Sequence, residues 1–350
     1  MDSYTDSKAS SDKITPDKFF HSEFFKPTVR LILEAQRPSG EIPWFKGGPT
    51  DPWDHIEAAM GLSIYGEHEA AERAYLWLKH TQLRDGSWWS SYFDGKKANN
   101  AYRDTNFTSY IATGVWHHFL VANDIVFLIV MWTVIDRAIE FVLNQQAPAG
   151  DIKWAVDQTG QPLKEGLLVG CSSIYKSLQC ATKIAATLGY LRPHWQMARR
   201  RLGDALRFKT ELFNADPKSQ KAFSMYWFYP VLTGVIESPQ AAKHLSKQWH
   251  QYVVEDMGCR CTTADPWVTV AESCELTMAL LAAGEFQKAA ELFSWLHQWR
   301  ADDGVYWTGY ELETRRVWPE EKNTWTSGSV LLAADALANH TAAAHLFSSI

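Results

Sequence analysis

Gln82-Leu83-Arg84-Asp85-Gly86-Ser87-Trp88-Trp89 is the stretch whose reading decides the fold. It stands at the end of an amphipathic segment, and the same spacing recurs. Gln36 precedes Gly40 and Trp44, and Gln146 precedes Gly150 and Trp154. A looser copy runs from Trp299-Arg300 through Gly304 to Trp307. A phrase repeated at helix ends marks a repeated supersecondary unit.

The residue types explain the placement. Glycine ends a helix in a left-handed conformation that a Cβ would disfavour. A glutamine amide carries two donors and an acceptor, enough to bind the orphaned carbonyls of neighbouring helix ends. Tryptophan offers a flat surface that could stack over the glutamine and seal the junction. The phrase is therefore read as a structural staple between helices.

Outward from the staples, the chain reads as twelve helices in six pairs. The predicted helices run over residues 26–35, 53–65, 67–81, 104–120, 124–143, 167–188, 193–213, 224–235, 239–253, 267–283, 285–298 and 325–338. Asp51-Pro52, Asp104-Thr105, Asp265-Pro266 and Asn323-Thr324 supply helix-start chemistry. One member of each pair is small and apolar, as in Thr108 to Val115 or Val330 to Ala338. The other carries a charged face, as in Glu67 to Lys79. Helices apolar all round are buried, and those with a polar stripe face water. Alternation of the two makes concentric rings: an all-α, (α/α)6 toroid. Solenoids and plain bundles are the competing architectures. Residues 19–350 are expected to form this one domain behind a disordered polar tail, residues 1–18.

Composition bounds the function. Apolar residues are 46% and charged residues 21%, which permits a full core and excludes global disorder. A net charge of −6 gives no footprint for nucleic acid. The 17 tryptophans, 17 phenylalanines and 13 tyrosines point to an aromatic cavity as readily as to a bulky core. Five cysteines without zinc spacing read as reduced thiols of a cytoplasmic protein. The apolar run Val126 to Ile135 is too short to span a bilayer, although peripheral membrane contact stays open. No metal or cofactor motif is found, and the oligomeric state is not legible.

In a toroid the first turns of the inner helices line one mouth. Those turns hold Trp53, Asp54, His55 and Glu57, then Asp104 and Asn106, then Trp227 and Tyr229. Trp267 and Glu272, and Asn323 and Trp325, complete the set. Buried carboxylates are costly and often mark function.

The Gln-to-Gly-to-Trp phrases resemble the QW motif of the squalene–hopene and oxidosqualene cyclases. A single toroid of that kind resembles the monodomain class II terpene cyclases, which close prenylated aromatic acids into meroterpenoids. The resemblance implies an isomerase without cofactor, acting on a hydrophobic prenylated small molecule through a carbocation. Tyr102-Arg103-Asp104-Thr105-Asn106 resembles an abbreviated form of that family's acidic motif, while the full D-x-D-D is absent. It implies Asp104 as the proton donor, tuned by Asn106, His55 or Asn323. Trp53, Trp227, Tyr229, Trp267 and Trp325 would then stabilise the cation, at ~2 kcal/mol or more each when desolvated. Asp54 and Glu57 would contact substrate, and Glu57 or Glu272 would take the last proton.

Carbohydrate chemistry is the alternative class. Six-hairpin toroids also host glycosidases and lyases, with Asp54 or Glu57 paired against Asp104 or Glu272 and tryptophan faces stacked on sugars. A lipid- or prenyl-binding toroid is the non-enzymatic reading.

Overall fold

The computed structural model describes residues 20, 22–214 and 223–348. The tail expected over residues 1–18 lies outside them. Six outer helices are α1 (Ser22–Ala35), α3 (His68–Thr81), α5 (Ile125–Leu143), α7 (Pro193–Phe208), α9 (Gln240–Tyr252) and α11 (Phe286–Trp295). Six inner helices alternate with them: α2 (Pro52–Ile64), α4 (Thr105–Ala122), α6 (Leu168–Thr187), α8 (Met225–Leu232), α10 (Val270–Ala282) and α12 (Thr324–Ala338). Each inner helix packs on the next, and α12 returns onto α2, so the ring closes. The chain is the expected helical toroid.

The two rings follow from side-chain pattern. Every residue of α2 except Asp54 is buried. In α3 only the stripe of Ala70, Ala71, Ala74, Tyr75, Trp77 and Leu78 is. A helix without a polar face has nowhere stable but the interior. Gly114 of α4 and Gly328 of α12 permit close approaches between inner helices. A Cβ on Gly114 would sit 2.4 Å from Ile56, and one on Gly328 would sit 2.7 Å from the Glu57 carbonyl.

The staples act between outer helices. Gln36 Nε2 donates to Gly40 O at 3.2 Å and to Ala70 O of α3 at 2.8 Å. Gln82 Nε2 donates to Gly86 O at 2.9 Å and to Val134 O of α5 at 2.8 Å. Gln146 repeats this to Gly150 O at 3.1 Å and Ala198 O of α7 at 3.0 Å. In the looser copy an arginine replaces glutamine: Arg300 Nε reaches Gly304 O at 2.9 Å, and its Nη2 reaches Phe24 O of α1 at 2.8 Å. That link ties the end of the outer ring to its beginning. The tryptophans do not serve as the expected lids. Trp88 donates to Leu78 O inside the core, Trp44 turns into the central cavity, and Trp154 lines a smaller one.

Connections are short at one end of the ring and long at the other. Inner-to-outer turns such as 65–67 and 283–285 are tight, whereas outer-to-inner loops such as 82–104 and 300–323 are long. The long loops carry all the β-structure. Strands β1 (Pro49–Thr50), β2 (Tyr92–Phe93) and β3 (Lys96–Lys97) form one antiparallel sheet. β4 (Arg103–Asp104) pairs with β5 (Ala155–Val156). A five-stranded sheet has the order β10 (Arg316–Val317), β9 (Gly309–Glu311), β8 (Trp267–Thr269), β7 (Gly258–Arg260), β6 (Val253–Val254).

Several boundaries depart from the sequence reading: α1 begins at Ser22, α8 ends at Leu232 and α11 at Trp295, and two larger departures follow. Trp267 lies on β8, and α10 begins only at Val270. Its strand pairs with both β7 and β9, and those ladders outweigh the Asp265-Pro266 start signal. Asp265 instead accepts the Thr262 hydroxyl at 2.9 Å in a loop. Helix α7 stops at Phe208 rather than running on to Phe213. The three other expected caps do cap: Asp51, Asp104 and Asn323 accept amides of the first turns of α2, α4 and α12.

At the far end, residues 341–348 fold under the ring. The Leu346 carbonyl accepts Lys176 Nζ of α6 at 3.0 Å, and Phe347 lines a small void inside the shaft. No described helix is long and apolar enough to cross a membrane. The five cysteines are unpaired.

Candidate active site

The mouth opens into a cavity of about 560 Å³. Trp53 and Asp54 enter it from α2, Phe107 from α4, Met225 from α8 and Trp325 from α12. Trp44 and the segment from Ser90 to Tyr102 form its outer wall. A second cavity of about 150 Å³ shares Trp53 and Phe107 with the first and runs toward the starts of α4 and α6. First turns from around the ring meet at one place because every inner helix enters from the same side.

Asp54 is the carboxyl that faces the main cavity from the inner ring. Burial raises its pKa well above the ordinary carboxylate value, and the charges of Asp51 and Glu57 raise it further. Asp51 lies beside it with both oxygens engaged. Oδ1 caps the Asp54 amide at 3.0 Å, and Oδ2 accepts Trp44 Nε1 at 2.5 Å. Burial also raises Asp51, against those bonds.

Glu57 does not reach the main cavity. It sits behind the aromatic wall and accepts four donors. Trp53 Nε1 at 2.7 Å and Tyr110 OH at 2.9 Å bind one oxygen. Trp325 Nε1 at 2.8 Å and Ser329 Oγ at 3.2 Å bind the other. Burial pushes its pKa up and the four donors pull it back. Glu275 of α10 has only the Tyr229 hydroxyl, at 2.5 Å, and its second oxygen is buried without a partner. Burial and the charge of Glu57 hold Glu275 well above the usual range. Of this pair Glu57 is the better held as a carboxylate, since it accepts four donors where Glu275 accepts one.

Asp104 lines the smaller cavity and is buried. Its Oδ1 accepts the amides of Asn106 at 2.8 Å and Phe107 at 3.1 Å, while burial raises its pKa to about 7. Asn106 meets it through the backbone, and its own side-chain oxygen is buried without a partner in the same cavity. Glu272, in the first turn of α10, is buried and accepts the Thr269 hydroxyl.

Four expected site residues are held elsewhere. His55 is fully buried between Ile42 N, at 2.9 Å to Nδ1, and Ala74 O, at 3.0 Å from Nε2. Burial lowers its pKa to about 4, so it is a neutral tie between the rings. Trp227 turns outward and stacks on Tyr252 of α9 at 5.4 Å, because helix α8 presents that side to the outer ring. Trp267 donates to Trp318 O at 2.7 Å over its sheet. Asn323 is spent on capping Thr326, at 2.7 Å, and on Thr308 Oγ1, at 3.1 Å. Tyr229 does reach the shaft, where its ring lies 5.9 Å from Trp53. Among the described residues, no group of three His, Cys, Asp or Glu side chains could hold a metal ion.

Sequence reading missed Glu275 and gave Trp44 and Asp51 only structural roles. Glu275 had a signal: it lies three residues after Glu272, one turn deeper on the same face of an inner helix.

No protein-family model matches the chain. Over 325 residues the chain is 42% identical to the MMP endo-(1,4)-3-O-methyl-alpha-D-mannosidase of Mycolicibacterium hassiacum, covering 93% of this chain and 89% of that protein. The chain belongs to that mannosidase's family. Solved toroids share its fold. A wild-type glycosidase superposes with a TM-score of 0.70 at 14% identity, over 91% of this chain and 97% of that one. A D-mannose isomerase gives 0.68 at 9% identity, over 93% and 99%. An alpha-amylase from Clostridium perfringens gives 0.66 at 10%, over 90% and 98%. At such identities the likeness speaks for the fold alone.

Membership in a mannosidase family overturns the terpene-cyclase resemblance. With it go the isomerase chemistry, the carbocation and the prenylated substrate. The physical reason is in the staples. Their glutamines and glycines meet a need of any α/α toroid, that of tying consecutive outer helices, and specify no reaction. An aromatic chamber is equally uninformative, since tryptophan faces suit sugars as well as cations. The glycosidase family agrees with the carbohydrate alternative.

Proposed function

We propose that the chain is a glycosidase that cleaves an internal α-(1,4) bond in an oligosaccharide of 3-O-methylated mannose. Asp54 donates a proton to the leaving oxygen, and Glu272 is the carboxylate on the other face of the sugar. The observation that carries this reading is the setting of Asp54: a carboxyl in the wall of an aromatic cavity, crowded by Asp51 and Glu57. A general acid must hold its proton until the bond breaks, and burial beside like charges moves the Asp54 pKa in that direction. The mannosidase relative supports the substrate class.

Glu272 is chosen on ring order. The cavity includes Met225 of α8 and Trp325 of α12, and α10 packs between those two helices. Its first turn enters the ring between theirs, two helices round from Asp54.

The test is release of reducing ends from an α-(1,4)-linked 3-O-methylmannose oligosaccharide. Asp54→Asn and Glu272→Gln should each lower kcat about 10²–10⁴-fold, with thermal melting near wild type. Asp104→Asn should keep most of the rate. A fully active Asp54→Asn enzyme would remove the acid. Loss of activity in Asp104→Asn with Glu272→Gln still active would overturn the choice of partner.

A further inference from the structure

All three tryptophans of the main cavity have their single polar atom engaged by the protein. Trp53 and Trp325 give their indole N–H to Glu57, and Trp44 gives its own to Asp51. Glu57 lies behind the wall, so the two indoles it holds are rotated with their N–H edges away from the cavity. Thr50, also in the wall, spends its hydroxyl on Glu41 at 2.8 Å. Beside the Asp51 and Asp54 carboxyls, what the cavity presents around these tryptophans is carbon: indole rings, Pro49, Phe107 and Met225. Ser90, Ser91, Asn100 and Tyr102 of the outer wall bring hydroxyl and amide groups to the same cavity. The cavity thus combines indole surfaces whose N–H groups are withdrawn with polar groups from the 90–102 segment.

We propose that Glu57 is a positioning residue for substrate selection: by fixing both indoles edge-away, it builds a wall that accepts the methyl ethers of the sugar and disfavours free hydroxyls. This rests on the reading of the chain as a methylmannose glycosidase. A hydroxyl laid against those two rings, away from Asp54, would lose its water and find no partner there. A methyl group in the same place is buried favourably. A single methyl in an apolar pocket is worth about 10–200-fold in discrimination. A carboxylate is needed at residue 57 because a glutamine there offers one acceptor oxygen, and its amide would point N–H groups at the donors of Trp325 and Ser329.

The experiment compares kcat/KM for an α-(1,4)-linked 3-O-methylmannose oligosaccharide and its unmethylated counterpart. Wild-type, Glu57→Gln and Trp325→Phe enzymes are used, with tryptophan fluorescence recorded. Wild type should prefer the methylated substrate about 10–200-fold. Glu57→Gln should lose most on that substrate, mainly in KM, so that the preference shrinks about tenfold or more, and the indole emission should shift. Trp325→Phe keeps a ring without the N–H, so it tests the clamp even where Glu57→Gln folds poorly; its preference should also shrink. An equal loss on both substrates in both variants would reduce Glu57 to a structural role and overturn the inference. A wild-type enzyme that cleaves both substrates equally would overturn it too, while leaving the glycosidase reading in place. A wild-type enzyme inert on both would overturn the functional reading and the inference with it.

Discussion

Glu57 of α2 and Trp325 of α12 are separated by 268 residues in sequence and by 2.8 Å in space, indole N–H to carboxylate oxygen. The bond crosses the seam where the last inner helix returns to the first. Ser329 supports it from the next turn of α12, and Tyr110 holds the other carboxylate oxygen from α4. One side chain therefore joins three consecutive inner helices. Removing the Trp325 donor should cost about 1–3 kcal/mol, the usual consequence of stripping a partner from a buried polar group. Urea denaturation of Trp325→Phe checks this, and an unchanged midpoint would mean that the seam is held by packing alone.

The staples predict a stability effect without an effect on catalysis. Gly86 has a φ of +96°, and a Cβ there would meet the Arg137 carbonyl oxygen at 2.2 Å. Gly86→Ala must therefore shift the loop away from α5, breaking the Gln82 bond to Val134. A loss of several kcal/mol is expected, on the scale of overpacking plus a lost hydrogen bond (about 2–4 kcal/mol together). Gln82→Leu should cost less. In both variants the remaining folded enzyme should turn over at the wild-type rate, read as activity per active site below the melting temperature.

Asp104 couples stability to pH. Its folded pKa of about 7 lies well above the ordinary aspartate value, with burial as the main cause. The folded state thus binds the proton more tightly than the unfolded chain. This contribution is complete below the unfolded pKa and fades as pH rises through the folded one. Between pH 4 and 7 each unit should remove up to about 1.4 kcal/mol from this source. Asp104→Asn keeps a capping oxygen and removes the titration. The difference in melting temperature between wild type and variant should change with pH across that window, and a constant difference would contradict the assignment.

Asp51 should set the alkaline limit of activity through Asp54. Its charge helps keep the Asp54 proton in place. In Asp51→Asn that charge is gone while the cap on the Asp54 amide can persist, so the alkaline limb of kcat/KM should move to lower pH. Pre-steady-state or steady-state pH profiles of the two enzymes measure this. A limb that stays in place would detach Asp54 from the role of acid.

Much of the architecture was legible in the chain. Helix count, pairing and ring assignment came from apolar periodicity, which is a local property of each segment. The capping of α2, α4 and α12 was readable for the same reason, since a cap is made within three residues. Trp267 was misplaced because its strand is stabilised by β7 and β9, which lie at a distance in sequence. The chemistry is not legible at the staples, because their bonds tie one outer helix to the next and touch no cavity residue.

Sequence alone determined that this protein is a toroid with aromatic and acidic residues at the first turns of its inner helices, because periodicity, caps and staples act over one or two helical turns. Tertiary structure decided which of those residues face the cavity. Rotation of an inner helix is set by both neighbours and by the outer ring, so Asp54 turns to the cavity, Glu57 turns behind it, and Trp227 turns away to Tyr252. That rotation depends on closure between residues hundreds of positions apart, and no window along the chain contains it.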